Sequence, residues 1–284
     1  MPSPLPVEAD FLTRCQPLLG TFVEITVPRC QAEVIDSAYA IIRHVHGRMS
    51  FQEQTSDLAR LREARAGDTV EVDRDTVTVL RAALELYHQT EGLFDVAIGC
   101  QLVHAGFLPK AGLGDLDQYP GTSADLELVS DNQIRLHRRT LVDLGGIAKG
   151  YAVDRAVEML LKGRVSDGIV NAGGDIRAFG SKAWEVGLRD ADGMVRNKIA
   201  LANAAVATSS NVANRRIADG RECSPHIGRE RESILSDHRV SVVARQCIIA
   251  DALTKVALAD PNVANVILDA HGGYIVHETS PDAT

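Results

Sequence analysis

The residues best suited to chemistry lie in one stretch, residues 142–154, with the sequence VDLGGIAKGYAVD. An apolar run leads into the pair Gly145-Gly146, and small or apolar residues then recur every four positions, as on one face of a helix. Such a junction exposes free backbone N–H groups and the positive end of a helix dipole beside Lys149. It suits a phosphate or pyrophosphate. A tight turn before an amphipathic helix explains the same residues equally well.

A second glycine pair, Gly173-Gly174, lies in the segment VNAGGDI between two strand-like runs. Glycines at such a place allow the backbone to approach a ligand closely, or they form a bulge. No G-x-G-x-x-G pattern follows a strand anywhere in the chain. A Rossmann-type dinucleotide site is therefore not supported.

Taken together, residues 143–154 and 170–175 resemble the ApbE family of FAD:protein FMN transferases. The resemblance runs from about residue 19 to about residue 270. Shorter segments resemble other parts of the family pattern, in the family's order: Leu19-Gly20-Thr21, Met49-Ser50-Phe51, Ser56-Asp57-Leu58, Gly92-Leu93-Phe94-Asp95, Ala207-Thr208-Ser209 and Ala250-Asp251-Ala252-Leu253.

The resemblance implies a phosphoryl transfer in which FAD is cleaved at its pyrophosphate. FMN passes to a Thr or Ser hydroxyl of a partner flavoprotein, and AMP leaves. It also implies Mg²⁺, which neutralises phosphate charge and prefers oxygen ligands. Asp251 matches the family's metal-binding carboxylate, and the main-chain carbonyl of Gly146 matches a second ligand. Without the resemblance, a helix cap or salt bridge would be the simpler role for Asp251.

Two departures from the family pattern concern this site. The family commonly has Thr four residues after the metal-binding Asp, where this chain has Lys255. An ammonium cannot ligate a metal ion, so Lys255 contacts phosphate or displaces the metal. Thr254 is one residue away and offers a hydroxyl that would partly compensate, so we include it among the expected metal ligands.

The resemblance also implies the residues that contact FAD. An aromatic face stacks on a flat ring, a carboxylate accepts from ribose or adenine groups, and a lysine meets phosphate. For the two phenylalanines, packing in the core is an equally good explanation from the residues alone. The expected contacts are Leu19, Phe51, Leu93, Phe94, Asp95, Asp143, Lys149, Gly173 and Gly174.

His226 is the expected catalytic residue. It lies where the family has His-x-x-Asp-Pro near the reacting phosphate, and a neutral imidazole there would accept the proton of the incoming hydroxyl. The second departure is here, because Gly228-Arg229-Glu230 replaces the Asp-Pro turn. Basic residues cluster at Asn214-Arg215-Arg216 and from Arg229 to Arg231. They form either a solvated loop or a rim that attracts an anionic ligand.

The composition of the chain argues against several classes of binding partner and site. The formal net charge of −8 argues against a nucleic-acid-binding surface, and no apolar run is long enough for membrane insertion. The five cysteines form no C-x-x-C pair, so they suggest neither a disulfide framework nor a zinc site. The acidic, Pro-rich start does not resemble a signal peptide. We therefore expect a cytoplasmic protein, although many relatives are exported lipoproteins.

Strand and helix patterns alternate without a strict βαβ order, which predicts an α+β fold. The resemblance implies mixed sheets with packed helices, related to the T-fold. We expect a flexible segment over 1–15, a single domain over 16–278 and a tail over 279–284. Predicted helices cover 32–49, 56–64, 75–90, 148–160 and 249–259. Predicted strands cover 21–27, 69–72, 126–129, 133–136, 168–170, 175–179, 183–189, 195–201, 239–244 and 263–269, with a loop-rich part over 99–123.

Three functions follow from these observations. The first is a Mg²⁺-dependent flavin transferase that modifies a protein. The second is an FAD pyrophosphatase on the same scaffold, with water in place of the hydroxyl. The third is a non-catalytic protein that binds or delivers FAD, which Lys255 and the missing Asp-Pro would favour.

Overall fold

The computed structural model describes residues 10–110, 112–190 and 193–276. Its helices are interspersed with antiparallel sheets, which confirms the α+β class. The strands are β1 (Phe11–Leu18), β2 (Thr21–Pro28), β3 (Thr69–Glu71), β4 (Leu126–Ser130), β5 (Gln133–Leu136), β6 (Gly168–Ala172), β7 (Asp175–Phe179), β8 (Trp184–Arg189), β9 (Val195–Leu201), β10 (Ala205–Ser209), β11 (Arg216–Ala218), β12 (Arg221–Cys223), β13 (Val240–Ala244) and β14 (Tyr274–Val276).

Seven helices accompany these strands in the part of the chain that the structure describes. Among the described residues, none of them is both long and apolar enough to cross a bilayer. They are α1 (Ile35–Met49), α2 (Asp57–Glu63), α3 (Arg74–Gln89), α4 (Gly99–His104), α5 (Ala148–Lys162), α6 (Cys247–Ala259) and α7 (Pro261–His271), with short 3-10 turns at Arg29–Val34, Leu116–Gln118, Ser123–Asp125 and Val212–Asn214.

The largest sheet has the strand order β1-β2-β6-β7-β10-β13-β14, with every pair antiparallel. Strand β2 buries Val23, Ile25 and Val27 on one face, the period of two that an extended strand requires. Helices α1, α5 and α6 pack over that face and form the main core with it. The hairpin β8–β9 covers the other face through Val186 and Leu188.

Most predicted elements are present, and the local chemistry explains their boundaries. Ser56 caps α2 as predicted, because its hydroxyl accepts from the backbone N–H of Ala59 at 3.1 Å. Helix α3 is capped by Asp73 and not by the predicted Asp75, since the Asp73 carboxylate accepts from the Asp75 N–H at 2.8 Å. A short helix, α4, lies within the predicted loop-rich part, and α1 begins at Ile35 after a 3-10 turn.

Two further predictions are wrong. The predicted flexible segment ends at residue 15, but β1 begins at Phe11 and pairs with β2 along its whole length. Residues 263–269 were predicted as extended, yet they belong to α7. Asp260 caps that helix and Pro261 occupies its first turn, while Gly272 ends it in the left-handed conformation. Residues 1–9 of the predicted segment, and the predicted tail 279–284, lie outside the described residues.

Candidate functional site

A cavity of about 980 Å³ opens above the start of α5. Its walls come from the segment after α1, the segment before α4, the end of β10 and the segment after β12. This volume falls at the upper end of the ~300–1,000 Å³ typical of small-molecule sites. The expected residues that line it are Leu19, Phe51, Leu93, Phe94, Asp95, Asp143, Gly146, Lys149 and His226.

Four expected site residues do not line this cavity. Gly173 and Gly174 form the turn between β6 and β7, with φ of +66° and +104°. That left-handed backbone explains the glycines without a ligand. A Cβ at Gly173 would also lie 2.9 Å from Cγ2 of Thr21. The other two, Asp251 and Thr254, are fully buried.

The two phenylalanines are part of the packed interior as well as of the cavity wall. Phe51 is 4% exposed and Phe94 is 6% exposed. The guanidinium of Arg62 lies over the ring of Phe51, 5.1 Å from its centroid, and donates to its carbonyl at 3.1 Å. One face of Phe51 is therefore already covered, and the ring packs with Tyr119 and Leu141. Its packing role is evident without a stacked ligand.

Asp251 belongs to α6, and its side chain reaches the start of α5. There its carboxylate accepts from the Gly150 N–H at 3.0 Å. Asp154 of α5 acts in the same way on α6, accepting from the N–H groups of Cys247 and Ile248 at 2.9 Å each. A carboxylate at a helix N-terminus is stabilised by the unpaired N–H groups and the dipole. The N–H groups at this helix start were expected to be free for a phosphate. The N–H of Gly150 is instead already bonded to Asp251.

Two lysines neutralise the buried carboxylates beneath the cavity. Lys255 contacts Asp251, and Lys149 contacts Asp175 while lying 3.9 Å from Asp251. Burial raises the pKa of Asp251, but the two ammonium groups outweigh it, and the net pKa is lowered. Burial lowers the pKa of Lys149, but Asp251 and Asp175 outweigh it and hold this pKa above its ordinary value. Burial and the neighbouring Asp251 raise the pKa of Asp175, and Lys149 and Lys255 oppose that shift.

The expected metal ligands do not fit a Mg²⁺ ion. One oxygen of Asp251 is taken by the Gly150 N–H and the other by the Lys255 ammonium. The side chain of Lys255 also covers Gly146, since a Cβ built there would lie 3.5 Å from Cε of Lys255. The Thr254 hydroxyl donates to the Asp251 carbonyl at 2.6 Å and pairs with Ser209 at 2.7 Å. The compensation expected from Thr254 is therefore not provided.

A group of possible metal ligands does occur elsewhere, at His44, Asp73 and Asp75. Its carboxylates already have partners, because Asp73 lies near Arg48 and Asp75 accepts from the Tyr151 hydroxyl at 2.6 Å. This cluster connects α1, α3 and α5, and we assign it a structural role.

His226 lines the cavity as a neutral imidazole. Burial lowers its pKa to about 4, and the positive charge of Lys255 acts in the same direction. Its Nδ1 is buried and has no hydrogen-bond partner within the part of the chain that the structure describes. A neutral ring keeps one nitrogen as a proton acceptor at physiological pH. The neutral ring can therefore accept a proton, and its role as the general base stays a prediction.

The segment 224–236, which we call the His226 loop, is held in place without an Asp-Pro turn. The Ile234 N–H donates to the His226 carbonyl at 2.8 Å, and the buried Ser224 hydroxyl donates to the Ile234 carbonyl at 2.7 Å. Arg231 donates to the carbonyls of Ala97 and Gly121 at 2.8 and 3.0 Å. The basic residues that the sequence offered as a solvated loop or an anionic rim thus include an anchor for this loop.

Two of the acidic residues of the cavity wall, Asp95 and Asp143, differ in how many hydrogen bonds they already accept. Asp95 is engaged by the Ser123 hydroxyl at 2.6 Å and the Ala97 N–H at 2.7 Å, which makes it part of the wall's own structure. Asp143 accepts only from the Gly145 N–H at 3.1 Å among the bonds of the described residues. Burial raises the pKa of Asp143 to about 6, partly opposed by that N–H. Of these two carboxyls, Asp143 has capacity left for a ligand.

Comparison with known proteins shows the family of this chain. The model of the ApbE family matches residues 19–273. The chain belongs to the ApbE family. A FAD:protein FMN transferase of Vibrio cholerae is 26% identical over 230 residues, which cover 75% of this chain and 69% of that protein. The protein of the same name from Haemophilus influenzae is 28% identical, and the match covers 52% of this chain and about half, 48%, of that relative.

Solved ApbE structures share the fold. The crystal structure of the ApbE protein from Thermotoga maritima superimposes with a TM-score of 0.80 at 26% identity, covering 94% of this chain and 93% of that one. The flavin transferase ApbE from Vibrio cholerae gives a TM-score of 0.79 at 22% identity, covering 94% of this chain and 93% of that one.

Within this ApbE site, the sequence did not reveal several structural partners. In the sequence, Asp154 and Asp175 stand only as parts of glycine-containing motifs, and Arg231 stands only as part of a basic run. A buried carboxylate needs a partner, and the only available signal was that these acids stand within largely apolar or small-residue stretches. Which cation or helix end meets them depends on contacts between residues far apart in sequence.

Proposed function

We propose that this chain is a FAD:protein FMN transferase. The observation that carries the proposal is one cavity whose wall combines two ammonium groups, Lys149 and Lys255, with the neutral imidazole of His226. This is the charge pattern that a pyrophosphate and a protonated nucleophile require. Membership of the ApbE family and the name of the curated relatives support the same substrate.

The proposed reaction uses the chain's own groups in named roles. Lys149 and Lys255 hold the pyrophosphate, and Asp143 accepts from a polar group of FAD. His226 takes the proton of a Thr or Ser hydroxyl on the acceptor protein. The new bond joins that oxygen to the FMN phosphorus, the bridging P–O bond breaks, and AMP leaves with the bond's electrons. Mg²⁺, which the resemblance implied, has no part in these steps because the described residues do not fit it.

The test is an incubation of the purified chain with FAD, with and without the protein acceptor of the Vibrio cholerae relative. Transfer predicts AMP release only with acceptor, and an acceptor mass that rises by FMN less one water. AMP released without acceptor would instead indicate an FAD pyrophosphatase. Bound, intact FAD under both conditions would indicate a binding protein, and either of these outcomes would contradict the proposal.

A further inference from the structure

Lys255 has the position and the contacts of a resident cation. It follows Asp251 by one turn of α6, and its ammonium contacts the Asp251 carboxylate and donates to the Asp251 carbonyl at 2.9 Å. Its side chain is 19% exposed and borders the cavity. The ammonium is therefore held from below by a fixed anion while its remaining surface faces the ligand space.

The charges around this position already balance. Asp175 and Asp251 are buried, and each contacts one ammonium, from Lys149 and Lys255 respectively. A divalent cation at Asp251 would have to displace Lys255 or lie beside two like charges in a poorly hydrated place. Both arrangements are unfavourable, because buried charges need opposite partners. A neutral residue at position 255 would leave the Asp251 carboxylate open to a metal ion.

We propose that Lys255 takes the place of a divalent metal ion in this chain, so that FAD binds with its pyrophosphate on the two lysine ammonium groups in the absence of any added metal. This inference rests on the proposed function for the identity of the ligand. It differs from the metal requirement that the family resemblance implied, and it assigns Lys255 a role as a phosphate-binding residue.

The experiment measures FAD affinity by calorimetric titration, in EDTA and in excess Mg²⁺. For the unaltered chain we expect the same affinity in both. For Lys255→Thr we expect affinity in EDTA to fall roughly 10- to 100-fold, as for loss of a charged hydrogen bond, and Mg²⁺ to restore it at the freed Asp251. Lys255→Arg keeps the positive charge and should bind FAD without metal.

Lys198→Thr is the matched control, because Lys198 pairs with Glu185 on the β8–β9 hairpin, at 2.7 Å. It should leave FAD affinity unchanged. Thermal unfolding of each variant shows whether the fold is retained. If Lys255→Thr is unfolded, FAD binding by Lys255→Arg in EDTA still tests the inference. Unaltered chain that binds FAD only with Mg²⁺, or folded Lys255→Thr that binds FAD equally well in EDTA, would overturn the inference.

These outcomes separate the inference from the proposed function. FAD binding in EDTA that depends on Lys255, without any FMN transfer, would support the inference and contradict the proposed enzyme. FMN transfer that requires Mg²⁺ for FAD binding would do the reverse. Absence of FAD binding under both conditions would overturn both.

Discussion

Asp154 and Asp251 cap each other's helices. Asp154 on α5 accepts from the first N–H groups of α6, and Asp251 on α6 accepts from Gly150 in the first turn of α5. The two helices pack side by side, so each carboxylate reaches the neighbouring N-terminus. This exchange fixes the relative positions of Lys149 and Lys255, whose ammonium groups line the cavity.

We expect Asp154→Ala to lower the free energy of unfolding by about 3–5 kcal/mol. The change leaves the N–H groups of Cys247 and Ile248 without their acceptor and removes the partner of Arg177, 2.6 Å away. Denaturant unfolding measures the effect. Asp36→Ala is the control, because the Asp36 side chain is 72% exposed and pairs with Arg14 at the surface; its effect should be about 1 kcal/mol or less. Equal effects would refute the capping role.

Gly150→Ala should destabilise the chain by about 1–3 kcal/mol, the usual cost of overpacking. A Cβ at Gly150 would lie 2.7 Å from the carbonyl carbon of Cys247 and 2.8 Å from Cβ of Asp251, where α5 meets α6. Gly47→Ala in α1 is the matched control, because no atom lies within 4 Å of its added Cβ. Helix propensity alone should then stabilise that variant by up to about 1 kcal/mol. Thermal unfolding compares the two variants. Similar shifts in melting temperature would show that α5 and α6 can move apart to accommodate the added methyl group.

FAD should bind more tightly than NAD. The cavity has the two ammonium groups that a pyrophosphate needs, but the chain has no Rossmann fingerprint to place a nicotinamide dinucleotide. Parallel titrations with FAD, FMN and NAD measure the preference, with FMN reporting how much affinity the AMP half contributes. Tighter binding of NAD than of FAD would contradict the assignment of this cavity to a flavin.

Arg231 should act as a positioning residue for His226. Its bonds to the carbonyls of Ala97 and Gly121 anchor the His226 loop to two distant segments of the chain. Small misplacements of a reacting group cost up to ~100-fold in rate, so Arg231→Ala should lower kcat more than it raises KM for FAD. Arg221→Ala, exposed on β12, is the control. Hydrogen exchange at the Ile234 N–H should also accelerate in Arg231→Ala; unchanged exchange would mean that the loop is held elsewhere.

Much of the fold followed from local patterns, and the errors have physical causes. The cap at Ser56 and the buried face of α1 depend on neighbouring residues, so sequence spacing predicted them. The segment 263–269 is rich in β-branched residues, which favoured a strand. Its helix depends on Asp260 and Pro261, signals of a helix start that outweigh propensity here. Strand β1 is stabilised by pairing with β2. The residues of β1 alone do not indicate that pairing.

Nine of the thirteen expected site residues line the cavity, but the arrangement of charges around them was not predictable from the sequence. Lys255 follows Asp251 by four residues on a helix, a spacing that places an ion pair in contact. The approach of Lys149 and Asp175 to that pair depends on how α5, α6 and β7 pack, which no local pattern reveals. The sequence left open whether Lys255 contacts phosphate or displaces the metal, and the packing of these elements supports the proposal that Lys255 takes the metal's place.

The last prediction concerns the catalytic role of His226. A positioned base contributes typically ~10²–10⁴-fold to the attack of a hydroxyl, so His226→Asn should slow FMN transfer by about that factor with FAD affinity nearly unchanged. Asparagine keeps a polar side chain of similar reach, which limits disturbance of the loop. Single-turnover transfer at saturating FAD is the measurement. A normal rate in His226→Asn would exclude the base role.

The pH profile gives an independent check. An unperturbed histidine would lose its basic form near pH ~6.5, but the pKa of His226 is lowered to about 4 by burial and by the charge of Lys255. The neutral, proton-accepting form therefore predominates at every pH above that value. We expect kcat/KM, which reports the ionisations of the free enzyme, to fall first near pH 6, where Asp143 is protonated, and to fall again as the pH approaches the lowered pKa of His226. His226→Asn should remove the lower limb and keep the upper one. If His226 only orders its loop, the variant will instead bind FAD more weakly and retain both limbs.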